Sequence, residues 1–305
     1  MEPKIKINIE EKFENIRFDK WFKKNIKSIP QSLIERFLRK GKILVNKKKI
    51  KSSYKIQNND LVEIFKDIDN NQIHEKVKFT YLPSKKDYQS IKNNIIFENN
   101  DYFVFNKSGN LAVQSGTKTN KNLFDILKNY ENTEYSNPYL VHRLDVETTG
   151  ILIIAKNSKS AKFFSDLFKN RKINKFYLAV VHGIIEKKSG TLKNELIYVE
   201  NNQERKHLAI TDYKVISENQ NYSLLSLFPE TGRKHQLRRQ LSFIKHPIVG
   251  EKKYTNKSLT QSKKINLLLH AYKISFFQDK KEINYKIDPP LIFLNFCKDN
   301  QLILE

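Results

Sequence analysis

The chain has 305 residues, 39% of them apolar, and carries 56 Lys and Arg against 33 Asp and Glu, a formal charge of +23. That length allows a large domain with a small one, or two of medium size, and the charge points to a polyanion (RNA, DNA or an acidic membrane face), although an A/T-biased coding sequence would also raise the lysine content. The single cysteine, Cys297, excludes a disulfide framework and a Cys-based zinc cluster, residues 1–13 show no signal peptide, and apolar runs such as 151–155 are too short to span a bilayer, so a soluble, cytoplasmic protein is expected.

In chain order, Leu33, Ile34, Phe37 and Leu38 repeat at helical spacing, with Ser32 and Glu35 placed as a capping box and Gly41 as the stop. Residues 43–45 and 61–65 read as strands separated by a turn at 46–49. This first segment gathers Arg36, Arg39, Lys40, Lys42, Lys47, Lys48 and Lys49 around one helix end and the turn after it. Such a corner can grip a phosphate backbone, or it can be an ordinary solvated lysine face. Residues 66–92 are polar and aperiodic and read as a linker. Beyond them, 95–97 and 102–105 look like paired strands, 122–130 a helix, 139–141 and 151–156 strands, and 158–170 a helix burying Phe164, Leu167 and Phe168. A strand at 176–181, a helix at 233–244 burying Leu237, Leu241 and Ile244, and strands near 267–276 follow. Strands dominate without strict alternation, which favours an α+β fold over a doubly wound parallel one.

Cofactor signatures are missing: the chain has no GxGxxG, Walker loop, HExxH, GxSxG or CxxC. No metal or nucleotide cofactor is therefore expected. Three stretches hold polar residues in unusual places. In Val141-His142-Arg143-Leu144-Asp145-Val146-Glu147-Thr148-Thr149-Gly150, a loop between apolar strands carries an acid beside an arginine. Asp145 is either a reactive group there or a turn residue with Arg143 as its surface partner. In Thr231-Gly232-Arg233-Lys234-His235-Gln236-Leu237-Arg238, the predicted helix start puts Arg233, Lys234 and His235 in a first turn where cations are disfavoured. That arrangement implies a nearby anion, a carboxylate or a phosphate. On the strand Lys175-Phe176-Tyr177-Leu178-Ala179-Val180, Tyr177 faces away from Phe176 and Leu178, as a site residue or as core filler.

Together these stretches resemble the RluA/RluC/RluD family of pseudouridine synthases. HRLDVETTGILIIAK is similar to the family's HRLDxxTSGLLLLAK, KFYLAVV to KxYLALV, and TGRKHQLR to TGRxHQIR. Weaker likenesses lie at Asn106-Lys107-Ser108-Gly109, His246-Pro247-Ile248-Val249-Gly250, Leu269-His270-Ala271 and Pro289-Pro290-Leu291. The first segment is similar to an S4-type RNA-binding domain, with RKGKILVNKKKIKSSYK nearest the RluC branch. Ser108, Gln114, His207, Glu251 and Thr255 depart from the family's pattern. The resemblance implies an S4-like domain (residues 1–75), a linker (76–92), and a catalytic domain (93–305) built on a mixed, mainly antiparallel sheet with flanking helices. It implies Asp145 as nucleophile, Arg233 as its ion-pair partner, and Tyr177 stacking on the uracil and assisting proton removal. Arg143, Lys234, His235 and Arg238, with Arg36, Arg39, Lys40 and Lys47 to Lys49, are expected to contact RNA. The expected partner is large-subunit ribosomal RNA, handled by a monomer without cofactor. A tRNA-directed enzyme of the same chemistry and a non-catalytic S4-type ribosome-assembly protein are the alternatives.

Overall fold

The computed structural model describes residues 3–26, 29–65, 83–114, 121–128, 138–200, 203–255 and 265–304. Two units, Met1–Lys78 and Phe79–Glu305, each hold their own core.

In the first unit, β1 (Ile5–Asn8), α1 (Phe18–Asn25) and α2 (Gln31–Arg39) precede β2 (Ile43–Val45) and β3 (Leu61–Ile64), and the strands form an antiparallel sheet in the order β1-β3-β2. Ile34, Phe37 and Leu38 of α2 pack on Phe18, Trp21 and Phe22 of α1 and on Val62 of β3, as their helical spacing predicts. The Ser32–Glu35 capping box does not form. Pro30 is the N-cap, and Glu35 accepts instead from Gln31 and from Ser52. Asp60 ties the loop to the sheet by accepting from Asn46 Nδ2, Tyr54 Oη and the Gln57 amide at 2.7, 3.0 and 2.8 Å. Gly41 adopts φ +67° after α2, where Lys49 folds over it, so the 46–49 turn lies at the basic end of the helix. Arg36, Arg39, Lys40, Lys47, Lys48 and Lys49 are all exposed.

The stretch read as linker begins outside the described residues, but its second half is helix α3 (Lys85–Asn93). Ser84 accepts from the Asp87 amide and Asp87 from the Ser84 amide, a reciprocal cap that stabilises a helix with few apolar residues. The second unit continues with β4 (Ile95–Glu98), β5 (Tyr102–Lys107), α4 (Leu123–Lys128), β6 (Tyr139–Leu140), β7 (Thr149–Ala155), α5 (Ser158–Lys169) and β8 (Ile173–His182). Then come β9 (Ser189–Glu200), β10 (Gln203–Glu218), β11 (Tyr222–Pro229), α6 (Gln236–Phe243), β12 (Leu269–Gln278), β13 (Lys281–Lys286) and α7 (Leu291–Asp299). The sheet runs β4-β5-β7-β12-β8-β11-β10-β9, with β13 on β12 and β6 on β7. β12 lies parallel to β7, and the other pairings are antiparallel. The mixed, mainly antiparallel α+β fold agrees with the sequence reading.

Side chains alternate across this sheet as a period of two requires. On β8, Leu178 and Val180 pack in one core, and Ala179 and Val181 in another that Tyr177 also joins. Phe164 of α5 is fully buried against Tyr102 and Phe276. The central β7–β12 contact is close. Gly150 sits opposite Ala271 at φ +108°, and a β-carbon there would lie 2.3 Å from the Ala271 carbonyl oxygen. Next to it, His270 Nε2 donates to the Ile287 carbonyl at 2.9 Å, so Nδ1 is free to accept from the Thr149 hydroxyl at 2.8 Å. Burial lowers the His270 imidazole to about 4, which keeps it neutral in that role.

This packing predicts that Gly150→Ala is among the most damaging single substitutions in the second unit. A backbone clash and a positive φ should together cost at least about 2–3 kcal/mol. Gly109→Ala, whose β-carbon would make an ordinary 3.5 Å contact with Thr149 Cγ2, should leave the thermal midpoint nearly unchanged. Similar midpoints for the two variants would show that β7 and β12 can separate without loss.

Candidate active site

The loop between β6 and β7 and the loop leading into α6 meet over β8, and the residues singled out in the sequence line a common cleft of about 340 Å³. Asp145, Arg143, Tyr177, Arg233, Lys234, His235 and Arg238 are all on its wall. The acid loop is held from two sides. His142 is not a cleft residue: its Nε2 accepts from the Ile153 amide at 2.8 Å and its ring stacks on Phe168 at 4.6 Å. Burial, with help from Lys175, lowers its pKa to about 3, so it stays a neutral acceptor. From beneath, the fully buried Lys107 at the end of β5 donates to the carbonyls of Ser108, Leu111 and Val146, each within 3.0 Å. Burial lowers this ammonium to about 7, against the pull of Asp145. Sequence reasoning noted Lys107 only as part of a motif. A lysine ending the apolar run Tyr102 to Phe105 was the available signal.

The helix start differs from the reading in a way that changes the chemistry. α6 begins at Gln236, and His235 stands before it in a left-handed conformation, φ 53°. Arg233, Lys234 and His235 therefore precede the helix and do not lie in its first turn. Gln236 Oε1 accepts from the Arg233 amide at 3.0 Å and from the Thr231 hydroxyl at 2.7 Å, which closes the loop. Arg233 is exposed, and its Nε donates to the Leu208 carbonyl at 3.3 Å. It makes no ion pair with Asp145. The guanidinium that reaches the acid is Arg238, in the first turn of α6, with Nη1 4.0 Å from Asp145 Oδ2. On the other carboxylate oxygen, His235 Nε2 lies 3.6 Å from Oδ1.

Arg238 was expected to contact RNA, but its side chain is only 4% exposed and is committed to carboxylates. Nε and Nη2 bind Glu251 at 2.6 and 2.9 Å, and Nη2 also meets Glu147 Oε2 at 2.8 Å. Burial alone would raise the Glu251 carboxyl. The bond to Arg238 and the amides of Lys253 and Tyr254 outweigh it and hold Glu251 below the usual carboxylate range. Glu251 and Glu147 are thus site residues that the sequence reading left aside, Glu251 appearing there only as a departure from a motif. His235 Nδ1 pairs with the Tyr254 hydroxyl at 2.6 Å. Burial lowers the imidazole further below its ordinary value than Asp145 can restore, and Arg238, Lys253 and Lys234 act in the same direction as burial. Burial and then the Asp145 charge push the Tyr177 phenol above its ordinary range, so at neutral pH it is an un-ionised hydroxyl.

A cleft with a half-buried carboxylate, an adjacent guanidinium and a tyrosine on its wall can take a flat, neutral ring and attack it with oxygen. A family model described as RNA pseudouridylate synthase matches residues 101–243, a span containing Asp145, Tyr177 and Arg238. Over 94% of this chain and 94% of its own, a protein of Buchnera aphidicola subsp. Baizongia pistaciae named ribosomal large subunit pseudouridine synthase C is 33% identical. The chain belongs to the RNA pseudouridylate synthases. A Rickettsia felis synthase of the same name is 35% identical over 91% of this chain and 94% of its own. Among solved structures, the human RNA pseudouridylate synthase domain containing 4 superposes with a TM-score of 0.62 at 25% identity, covering 71% of this chain and 96% of that one. As in other RNA pseudouridylate synthases, the product is an isomer of uridine within RNA.

The unequal anchoring of Arg238 sets up a comparison. Glu251→Ala removes the fully buried partner and should cost about 3–5 kcal/mol in urea denaturation, because a buried guanidinium loses its counter-charge. Glu147→Gln removes a partly exposed partner and should cost about 1 kcal/mol or less. Equal costs would mean that Glu251 is not the principal anchor.

Proposed function

We propose that this synthase isomerises uridines of large-subunit ribosomal RNA, with Asp145 as nucleophile, Arg238 as its charge partner and Tyr177 against the target base. The observation that carries the residue assignment is the convergence of Arg238 and His235 on the two oxygens of Asp145 at the floor of one cleft. The names of the Buchnera and Rickettsia relatives support the ribosomal target, and so does the first unit, which reads as an S4-like domain with an exposed basic corner.

The reaction breaks N1–C1′, turns the base, forms C5–C1′, and exchanges the C5 proton for one on N1. Asp145 attacks as the carboxylate, at C6 of the base or C1′ of the ribose. The half-buried Asp145 carboxylate faces Arg238, which Glu251 and Glu147 hold in place. Those two acids thereby hold the guanidinium near Asp145 without neutralising the nucleophile. Tyr177 stacks on the uracil. Its hydroxyl carries a proton in the resting cleft, so it accepts the C5 proton only in step with passing its own on. The target must leave its stack to reach Asp145, and the exposed Arg143 on the rim is placed to fill the gap it leaves. Exposed Lys234 adds charge at the mouth, while His235 belongs to the carboxylate and is no longer assigned to RNA.

Pseudouridine mapping in ribosomal RNA and tRNA from cells lacking the protein, complemented with variants, tests the reading. Large-subunit positions should be lost and restored by wild type but not by Asp145→Asn. Loss confined to tRNA would reassign the substrate. In single-turnover assays Arg238→Ala should slow the reaction by at least about a hundredfold, the scale for stranding a buried charge partner. Arg233→Ala should leave the chemical step within about tenfold of wild type and act mainly on RNA affinity. The reverse order of effects would return the pairing role to Arg233. Replacing Lys47, Lys48 and Lys49 by alanine should weaken RNA binding and lower its salt dependence by about two to three charges, leaving the rate at saturation intact. Unchanged affinity would make that corner a solvated face.

A further inference from the structure

The catalytic cleft does not end at Tyr177. A groove of about 450 Å³ adjoins it, sharing Arg143, Lys175, Tyr177 and Arg233 and adding Phe168, Lys169 and Arg171. Its charge is one-sided: Arg143, Lys169, Arg171, Lys175 and Arg233 line it against a single acid, Glu230. Lys175 is the distinctive member. It lies on β8 between buried Ile173 and Leu178, is half-buried, and lines both the cleft and the groove. Its Nζ lies beside Gly232, where a β-carbon would be 3.9 Å away, so Gly232 itself puts no side chain against the ammonium. Among the described residues no carboxylate pairs with Lys175, whereas Arg238, on the opposite side of Asp145, has three acids around it. Burial, and after it Arg171, lower the Lys175 ammonium to about 8, the mark of a cation set in the protein without its anion.

We propose that Lys175, with Arg171 beside it, is a subsite for one backbone phosphate of the RNA strand next to the flipped uridine, so that the strand leaves the catalytic cleft along this groove. The inference rests on the RNA-modifying reading above and extends it to residues that reading does not use. A phosphodiester supplies the missing negative charge without a proton transfer. Lys175 lies two residues before Tyr177 on the same strand, so holding that phosphate fixes the backbone within reach of the aromatic face. The subsite therefore contributes to affinity and to seating the base, while Asp145 and Arg238 perform the chemistry.

The probe is a transcribed RNA fragment that the wild-type protein modifies. If the wild type modifies no RNA, the functional reading itself fails, before any variant is compared. Given such a fragment, Lys175→Met should bind it about tenfold more weakly and reduce the salt slope by about 0.7–0.9, the loss of one phosphate contact. Lys175→Arg should restore both. Neutral methylphosphonate linkages placed singly around the target uridine locate the contact: one of them should weaken the wild type and have no further effect on Lys175→Met.

A pH arm reads the same site without a disruptive substitution. The charged and titratable groups that share a pocket lining with Lys175 are Arg143, Asp145, Lys169, Arg171, Asp212, Glu230, Arg233, Lys234, His235 and Arg238, with neutral His142 and un-ionised Tyr177, while β12 offers Ile274. Because the ammonium is the binding form, wild-type affinity should fall as pH rises through about 8. Lys175→Arg, which keeps its charge, should stay flat over that range. Lys107 titrates nearby but is common to both proteins, so it does not produce the difference. Unchanged affinity and slope in Lys175→Met, full sensitivity of that variant to every methylphosphonate, or identical pH profiles for wild type and Lys175→Arg would each overturn the subsite.

Discussion

Burying a guanidinium is unfavourable unless its charge and its donors are met, and the second unit is arranged around meeting those of Arg238. Glu251 takes two of its bonds from the turn after α6, and Glu147 takes a third from the acid loop before β7. One side chain thereby joins three segments that are far apart in sequence. Because the fork is planar and its partners are fixed, the position of its remaining edge is fixed as well, and that edge is what Asp145 meets. The place of Asp145 in the cleft follows from a structural ion network and not from the local loop alone.

The cations of the cleft fall into two kinds on this basis. Arg238 is saturated by acids and acts within the protein. Among the described residues no acid pairs with Arg143, Arg233 or Lys175, and these three line the cleft or the groove beside it. A surface carrying a formal charge of +23 attracts polyanions generally. Orientation requires cations held at defined places, such as one that projects from a β-strand two residues from Tyr177 on the cleft wall.

Much of this was legible in the sequence. The alternation that put Tyr177 opposite Leu178 on β8, the apolar run of β7 and the helical spacing in α2 and α5 are local patterns, and each appears where it was read. That an anion lies near the TGRKHQLR stretch was also legible from its crowded cations, while Asp145 as that anion came from the resemblance. Which arginine supplies the pair was not. Both Arg233 and Arg238 belong to the motif, and the choice depends on where the helix begins. The left-handed His235 delays that start to Gln236 and turns Arg238 inward, toward acids 91 and 13 residues away along the chain. The β9–β10 ribbon escaped notice for a different reason. In LKNELIYVE and ERKHLAITDY the buried stripe is masked, because polar Thr211 stands on the buried face while Ile197, Val199 and Leu208 stand on the exposed one, so the apolar alternation does not show in the sequence. Lys107 and His142 were hidden because their partners are backbone groups, which leave no trace in side-chain patterns.

The parallel contact of β7 with β12 also bears on when the enzyme becomes competent. β7 ends at Ala155 and β12 begins at Leu269, so the centre of the sheet closes a loop of more than a hundred residues. During synthesis, the segment carrying Asp145 leaves the ribosome well before the strand that completes its support. Glu251, which anchors Arg238, also emerges late. A nascent chain exposing HRLD therefore still lacks both the β12 strand and Glu251, and the support of the Asp145 loop is completed only after Leu269 has been made.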